Sequence, residues 1–410
     1  MAKKLNGALG VDIGGHAIKI AEIKLSGRAP TITALGMAQV PEGAVDHIGL
    51  HDADAVSEVL KQVCAQCGVS VSDAVVSVAG QGAVLVRTLE VATMTDSELK
   101  QQMDWEITRN IPFAESTIVS DFKAFPPDPN DQQNMAVVMA ISPQSAVDGL
   151  ISVLKKAGRK PAAIDVEPLG IARSLDTNYA NELGDKFVCV VDIGSKVTSI
   201  NIYRAGRLQM PRQVPIGGEM MTRAVADSLG VPIEEAETLK QTKLRIPKSA
   251  PSASTFNPFE APAEGATQAF MPYNPFADPD EEPVTAAAEP EIEPAAPAPV
   301  AAESLDDDPE AVRVYSSVAP VIDEFVAEVR RSIDYFRSKG GEVNELMLCG
   351  GGAKMKGLPD LLSASLGLPC QVMRPTKNVN MNVKKGDPAL WDNGAEEFAV
   401  AIGNALHICY

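Results

Sequence analysis

A chain of 410 residues exceeds what one hydrophobic core usually serves, so two domains or more are expected. Hydrophobic residues make up 45% and charged residues 22%, which suits a soluble α/β protein and argues against global disorder. The net charge of −18 is concentrated: residues 247–310 hold fourteen Asp and Glu against Lys248, leaving −5 elsewhere. With no Lys/Arg-rich run, nucleic acid is excluded as an expected partner.

No signal peptide is expected at the start, and no apolar stretch approaches membrane-spanning length, so a membrane is expected to be reached only through a partner. Cys64 and Cys67 form one C-x-x-C without a second pair or a His pair at zinc spacing, which reads as two helix residues rather than a metal site.

Leu9 to Ile13 and Ala17 to Ile23 predict a β-hairpin turning at Gly14, Gly15 and His16. Residues 55 to 67 carry helical apolar spacing and are followed by a strand from Ala74 to Ala79. Next come a strand (Val84 to Val91), a helix from Asp96 to Asn110 capped by Thr95, two strands (Val119 to Phe125, Met135 to Ile141) and a helix from Pro143 to Ala157. These predict an α/β subdomain over 84–163, inserted between 1–83 and 164–186 of a first domain.

The opening pattern then returns, with Phe187 to Ile193 leading through Gly194 and Ser195 into a strand from Thr198 to Tyr203. Both hairpins carry V-D-I-G, which predicts an internal duplication. Helices from Glu219 to Leu229 and from Ile233 to Lys243 complete a first part of the second domain, 187–246.

Residues 247–310 hold thirteen of the thirty prolines and predict a disordered acidic insertion. Inside it Phe256-Asn257-Pro258-Phe259 recurs as Tyr273-Asn274-Pro275-Phe276, either linker drift or a repeated docking motif. The second domain resumes over 311–410, with a helix from Ala311 to Lys339, a strand from Glu345 to Cys349, a helix from Lys356 to Leu366 and a C-terminal helix.

A strand ending in Asp-Ile-Gly that turns back tightly frees glycine amides for a phosphate and places a carboxylate to hold a hydrated cation. Two copies predict two loops gripping one polyphosphate from both sides. Gly350, Gly351 and Gly352, at the end of a third apolar strand and ahead of a helix opened by Gly357, add a backbone that a flat ligand can approach closely.

These pieces, in this order, resemble the actin, sugar kinase and heat-shock chaperone superfamily, which implies an actin-like, duplicated ribonuclease H-like fold of two domains. The resemblance implies a first phosphate loop of Asp12, Gly14, Gly15, His16 and Lys19 and a second of Asp192, Gly194 and Ser195. Asp12 and Asp192 would hold Mg²⁺ through water, and Glu167 would orient attacking water, with Asp192 a weaker catalytic candidate. Gly217, Gly218, Glu219, Glu237 and Lys240 match the segment that contacts ribose and adenine, although Glu237 and Lys240 also suit a plain helical ion pair. Many relatives carry Ser or Thr where Gly15 stands, so binding of ATP is expected with slow or absent hydrolysis.

The inserted subdomain and the phrase Asp104-Trp105-Glu106 through Ile111-Pro112-Phe113 are similar to the PilM family of type IV pilus proteins. That resemblance implies a cytoplasmic ATP-binding adaptor, peripheral to the inner membrane, that binds the cytoplasmic tail of a PilN-like inner-membrane protein. The cell-division family FtsA is the alternative, disfavoured because residues 397–410 contain no Lys or Arg to attract anionic lipid. A small-molecule kinase of the same superfamily is a further alternative, for which no sugar-binding signature is seen.

Overall fold

The computed structural model describes residues 5–27, 29–113, 117–127, 132–248 and 308–410. Most of the acidic tract and both aromatic-Asn-Pro-Phe repeats lie outside the described residues.

Strand β1 (Gly7–Ile13) pairs antiparallel with β2 (Ala17–Ser26), which pairs antiparallel with β3 (Ala29–Gln39). Helix α1 (Ala53–Gln66) crosses over to β4 (Asp73–Val78), parallel to β1. Cys64 and Cys67 close the last turn of α1 as buried free thiols, Cys64 with its pKa pushed up to about 11 chiefly by burial. Among the described residues no three His, Cys, Asp or Glu side chains cluster closely enough to hold a metal by themselves.

The subdomain follows as β5 (Leu85–Ala92), α2 (Asp96–Arg109), β6 (Ile118–Ala124), β7 (Asn134–Pro143) and α3 (Gln144–Lys156). Its sheet has the order β5-β7-β6 and buries Met103 and Met139 in a small core of its own. Thr95 caps α2 in a reciprocal capping box with Glu98. The chain then returns to the first sheet through β8 (Lys160–Val166), parallel to β4, and enters α4 (Glu167–Leu183).

Strand β9 (Phe187–Ile193) pairs antiparallel with β10 (Thr198–Arg204), and β11 (Arg207–Met210) and β12 (Gln213–Val214) pair on the far side of β10. Helices α5 (Gly218–Leu229) and α6 (Ile233–Lys243) pack against α7 (Pro309–Ser338), which leads to β13 (Val343–Cys349), parallel to β9. Helix α8 (Leu358–Leu366) returns to β14 (Cys370–Val372), parallel to β13.

Reading β3-β2-β1-β4-β8 beside β11-β10-β9-β13-β14 shows one five-stranded plan built twice, with two antiparallel steps followed by two parallel ones. The repeated V-D-I-G hairpin is the start of each copy.

Residues after β14 leave the second sheet. β15 (Asn380–Met381) pairs parallel to β3 at the edge of the first sheet, and α9 (Ala389–Asp392) precedes α10 (Ala399–Ala405). Helix α10 lies across β1: a methyl group at Gly10 would stand 1.9 Å from Ala401 O, and one at Gly403 would stand 1.8 Å from Gly170 O in α4. Asn404, fully buried, donates through Nδ2 to Val11 O at 2.9 Å and accepts from Ser77 Oγ at 2.8 Å. Helix α4 presents Ile171 and Leu175 to Val188, Val190 and Tyr203 of the second sheet, and Tyr203 Oη donates to Pro168 O at 2.9 Å. Two helices crossing at glycines therefore join the sheets at the level of the hairpin turns.

Candidate functional site

The two hairpins end side by side because β1 and β9 hold equivalent places in the two sheets, with α4 between them. Asp12 and Asp192 stand one residue before the end of their strands. Lys19, paired across the hairpin with Asp12, reaches Asp12 Oδ2 at 3.2 Å. Burial works against the Lys19 charge, but Asp12, Asp192 and Glu397 together raise its pKa.

Glu167 opens α4 as its first residue, followed by Pro168, whose missing N–H costs nothing there. Burial first, and then the neighbouring Asp192 and Asp12, push the Glu167 carboxyl well above the carboxylate range, against a hydrogen bond from Ser199 and the charge of Lys19. Asp192 is likewise pushed up by burial and Asp12, partly offset by Lys19 and by a hydrogen bond from Cys349. Three carboxylates and one ammonium thus share one pocket of charge, with anionic groups in excess.

The turn glycines are used differently from the simplest expectation. Gly14 N–H donates to Ala17 O and Gly194 N–H donates to Val197 O, each at 3.1 Å, so these two amides close the turns. Among the described residues the amides of Gly15, His16, Ser195 and Lys196 have no acceptor, and they form the open rim. His16 is exposed at the tip.

Gly217, Gly218 and Glu219 brace the second turn: Gly218 N–H donates to Gly194 O at 3.0 Å and Glu219 N–H to Ser195 O at 2.8 Å. A side chain at Gly217 would meet Ser195 O at 2.3 Å, so only glycine allows that approach. The Glu219 carboxylate faces Arg223 at 2.5 Å and Lys196 at 3.9 Å. Lys240 Nζ donates to Gly218 O at 3.1 Å, Thr222 Oγ1 at 2.8 Å and Glu237 Oε2 at 2.7 Å, so Glu237 and Lys240 form the wall beside the second turn. These bonds hold the Glu237 carboxyl below its ordinary value against the effect of burial.

Gly350 completes the floor. Its φ of 80° and ψ of 175° lie in a region essentially restricted to glycine, and a Cβ there would stand 2.2 Å from Asp192 Oδ1. Gly350 N–H donates to Glu396 O at 3.0 Å, while Glu397 pairs with Lys354. A side chain at Gly352 would strike Ile193 Cγ2 at 2.2 Å, whereas Gly351 is exposed and has more room.

Sequence reasoning did not single out Lys196, Ser199, Cys349 or Glu397. The first was visible as the one cation inside a V-D-I-G turn, and Ser199 stands across the second hairpin from Asp192 as Lys19 stands across the first from Asp12. Cys349 and Glu397 reach the site only through the pairing of distant strands and the return of the chain across the first sheet.

The family model described as type IV pilus assembly protein PilM matches residues 10–264. This chain belongs to the PilM family. Over its whole length it superposes on a solved PilM-PilN type IV pilus biogenesis complex with a TM-score of 0.75 and 25% identity, each chain fully covered. The model for cell division protein FtsA also matches, over residues 189–403.

FtsA of Neisseria meningitidis serogroup B is 31% identical over 96 residues, 23% of this chain and 22% of that relative. FtsA of Escherichia coli K12 is 31% identical over 91 residues, 22% of this chain and 21% of that relative. The matched stretches thus span only about a fifth of these curated relatives. The ethanolamine utilization protein EutJ from Carboxydothermus hydrogenoformans shares the fold, with a TM-score of 0.51 and 16% identity over 99% of this chain and 91% of that one. The PilM family is thus a type IV pilus assembly family of actin-like fold, and the wider similarity to FtsA lies mainly in the second copy of the duplicated unit.

Proposed function

We propose that this PilM-family protein binds Mg-ATP between its two Asp-Ile-Gly turns and serves as a cytoplasmic adaptor that holds the tail of a PilN-like inner-membrane protein. The observation that carries the nucleotide reading is the convergence of Asp12, Lys19, Glu167 and Asp192 between two turns whose rim amides are open.

The donor set fits the ligand. Asp192 and Glu167, both pushed up by burial and by neighbouring carboxylates, mark a site short of positive charge that favours a divalent cation, and magnesium commonly binds through one or two carboxylates with phosphates and waters making up the rest. Bound Mg-ATP would supply the cation that relieves this repulsion and a polyphosphate for the rim amides. Asp12 and Asp192 would hold the cation, and Lys19, 3.2 Å from Asp12 Oδ2, orients the Asp12 carboxylate. Gly350 lets the backbone lie against Asp192, and Glu237 and Lys240 form the wall on the nucleoside side. Glu167 would orient attacking water, but Gly15 offers no hydroxyl to the β-phosphate, so turnover is slow or absent.

Because α4 and α10 connect the sheets beside the turns, a ligand touching both turns biases how far the sheets close. It biases any partner surface that depends on that closure in the same way. The PilN-like partner is supported by the full-length likeness to the PilM-PilN complex. An FtsA-like role is the second reading, supported by the family match over 189–403.

Titration calorimetry with Mg-ATP on the wild type and on Asp12→Ala tests the nucleotide reading, with binding expected only in the wild type. Capture of a synthetic cytoplasmic tail of a PilN-like protein, with and without Mg-ATP, tests the adaptor. Equal nucleotide binding by both proteins refutes the site, and nucleotide binding without any capture of the tail refutes the adaptor reading and leaves the second.

A further inference from the structure

We propose that Lys196 distinguishes a nucleoside triphosphate from a diphosphate, reaching across the cleft from the second turn to the outermost phosphate. This rests on the nucleotide reading above and adds to it a residue that sets which nucleotide is held.

Lys196 occupies the third position of the four-residue turn that Gly194 N–H closes on Val197 O. Its side chain leaves the second sheet and lies against the first: a Cβ at Gly15 would stand 3.4 Å from Lys196 Cδ, and Nζ approaches Val45 O at 3.5 Å. Gly15 thus leaves the room that the lysine stem fills. Lys196 lies at the tip of the second hairpin beside Gly15 of the first, while Glu237, Lys240 and Gly350 mark other walls of the site. A ligand whose nucleoside rests on those walls directs the end of its phosphate chain to the tips.

The ammonium is held weakly. Val45 O is at the limit of hydrogen bonding and Glu219 Oε2 is 3.9 Å away, with Glu219 already engaged by Arg223. Lys19, the cation of the first hairpin, is bound to Asp12 at 3.2 Å. Moving Lys196 onto a phosphate therefore gives up little, and a flexible four-carbon stem allows the movement. A terminal phosphate gains a charge-assisted bond there, whereas a diphosphate ends short of the tips.

The test is calorimetric binding of Mg-ADP and of a non-hydrolysable Mg-ATP analogue to the full chain, comparing wild type, Lys196→Met and Lys196→Arg. The wild type is expected to favour the triphosphate. Lys196→Met is expected to weaken triphosphate binding about tenfold or more while changing the diphosphate by less than about twofold, and Lys196→Arg to keep the preference. Thermal unfolding without nucleotide, equal to wild type, shows that the variants are folded.

Equal losses for both nucleotides, no loss at all, or a wild type without preference overturns the assignment while leaving nucleotide binding intact. A folded wild type that binds neither nucleotide overturns the nucleotide reading and this assignment with it.

Discussion

Gly350→Ala probes the floor of the site with the smallest possible change. The new methyl group must occupy a backbone conformation at φ 80°, ψ 175° that costs a non-glycine residue about 1–3 kcal/mol. It must also relieve a 2.2 Å approach to Asp192 Oδ1 and a 2.7 Å approach to Ile193 O. Restoring ordinary contact moves the Asp192 carboxylate by about 1 Å, and a displacement of that size costs on the order of 100-fold where a reacting or ligand group is positioned. Gly351→Ala is the control, because its methyl would come no closer than 3.4 Å to Glu397 Oε2 and its φ is not positive. Urea unfolding and Mg-ATP calorimetry on both variants are expected to show Gly350→Ala destabilised and at least about tenfold weaker in binding, with Gly351→Ala near wild type. Identical behaviour of the two variants refutes the argument that the floor is set by the backbone against Asp192.

The Glu22 carboxylate, buried and accepting from Ser70 N at 2.6 Å and Val71 N at 2.7 Å, locks the loop before β4 to β2, so Glu22→Gln is expected to cost about 2 kcal/mol or more in urea unfolding at pH 7. Burial opposes ionisation of Glu22, but bonds from Thr33, Val71, Ser70 and Lys24 outweigh it and lower its pKa. Its contribution is therefore complete above pH 4.5 and is lost as pH falls through the lower folded value, a limb that should disappear in the variant. Glu167 has the opposite sign: its raised folded pKa gives stability that is complete below 4.5 and is lost as pH climbs toward that elevated value. Glu167→Gln should therefore unfold at higher urea than wild type at pH 8, measured without nucleotide. Gly10→Ala places a methyl 1.9 Å from Ala401 O and should lower stability by about 1–3 kcal/mol in urea unfolding, through α10 alone.

Much of this fold was written locally. A continuous apolar run bounded β9 as Phe187 to Ile193, and Thr95 announced the start of α2. The twin V-D-I-G turns carried the duplication, and the strand plan repeats with them. Other elements escaped for physical reasons. Strand β3 is broken in pattern by Pro30 and Gly36, the latter glycine because a side chain would strike Cys67 Sγ at 2.3 Å. Helix α10, the C-terminal helix expected from the sequence, is buried at all seven positions, so no polar face or helical period marked its bounds. Helix α8, expected to end the regular structure before a C-terminal helix, is followed by β14, β15 and α9 as well, elements of two to four residues that are too short to show a period. Within the site, Asp12, Lys19, Glu167 and Asp192 were foreseeable from the turns and from the resemblance. Lys196 was visible inside the second turn, whereas Glu397 joins them only because the chain returns to the first sheet.

Asn404 touches Val11 across 393 positions of sequence, and Ala401, Ile402 and Ala405 cover Ala21, Ile23, Ile32 and Leu35 of the first sheet. During synthesis that oily surface stays bare long after β1 to β4 have emerged. The first sheet must therefore wait, shielded or half-formed, for a short segment made much later, and a ribosome that stalls before residue 399 releases a sticky fragment rather than a working lobe.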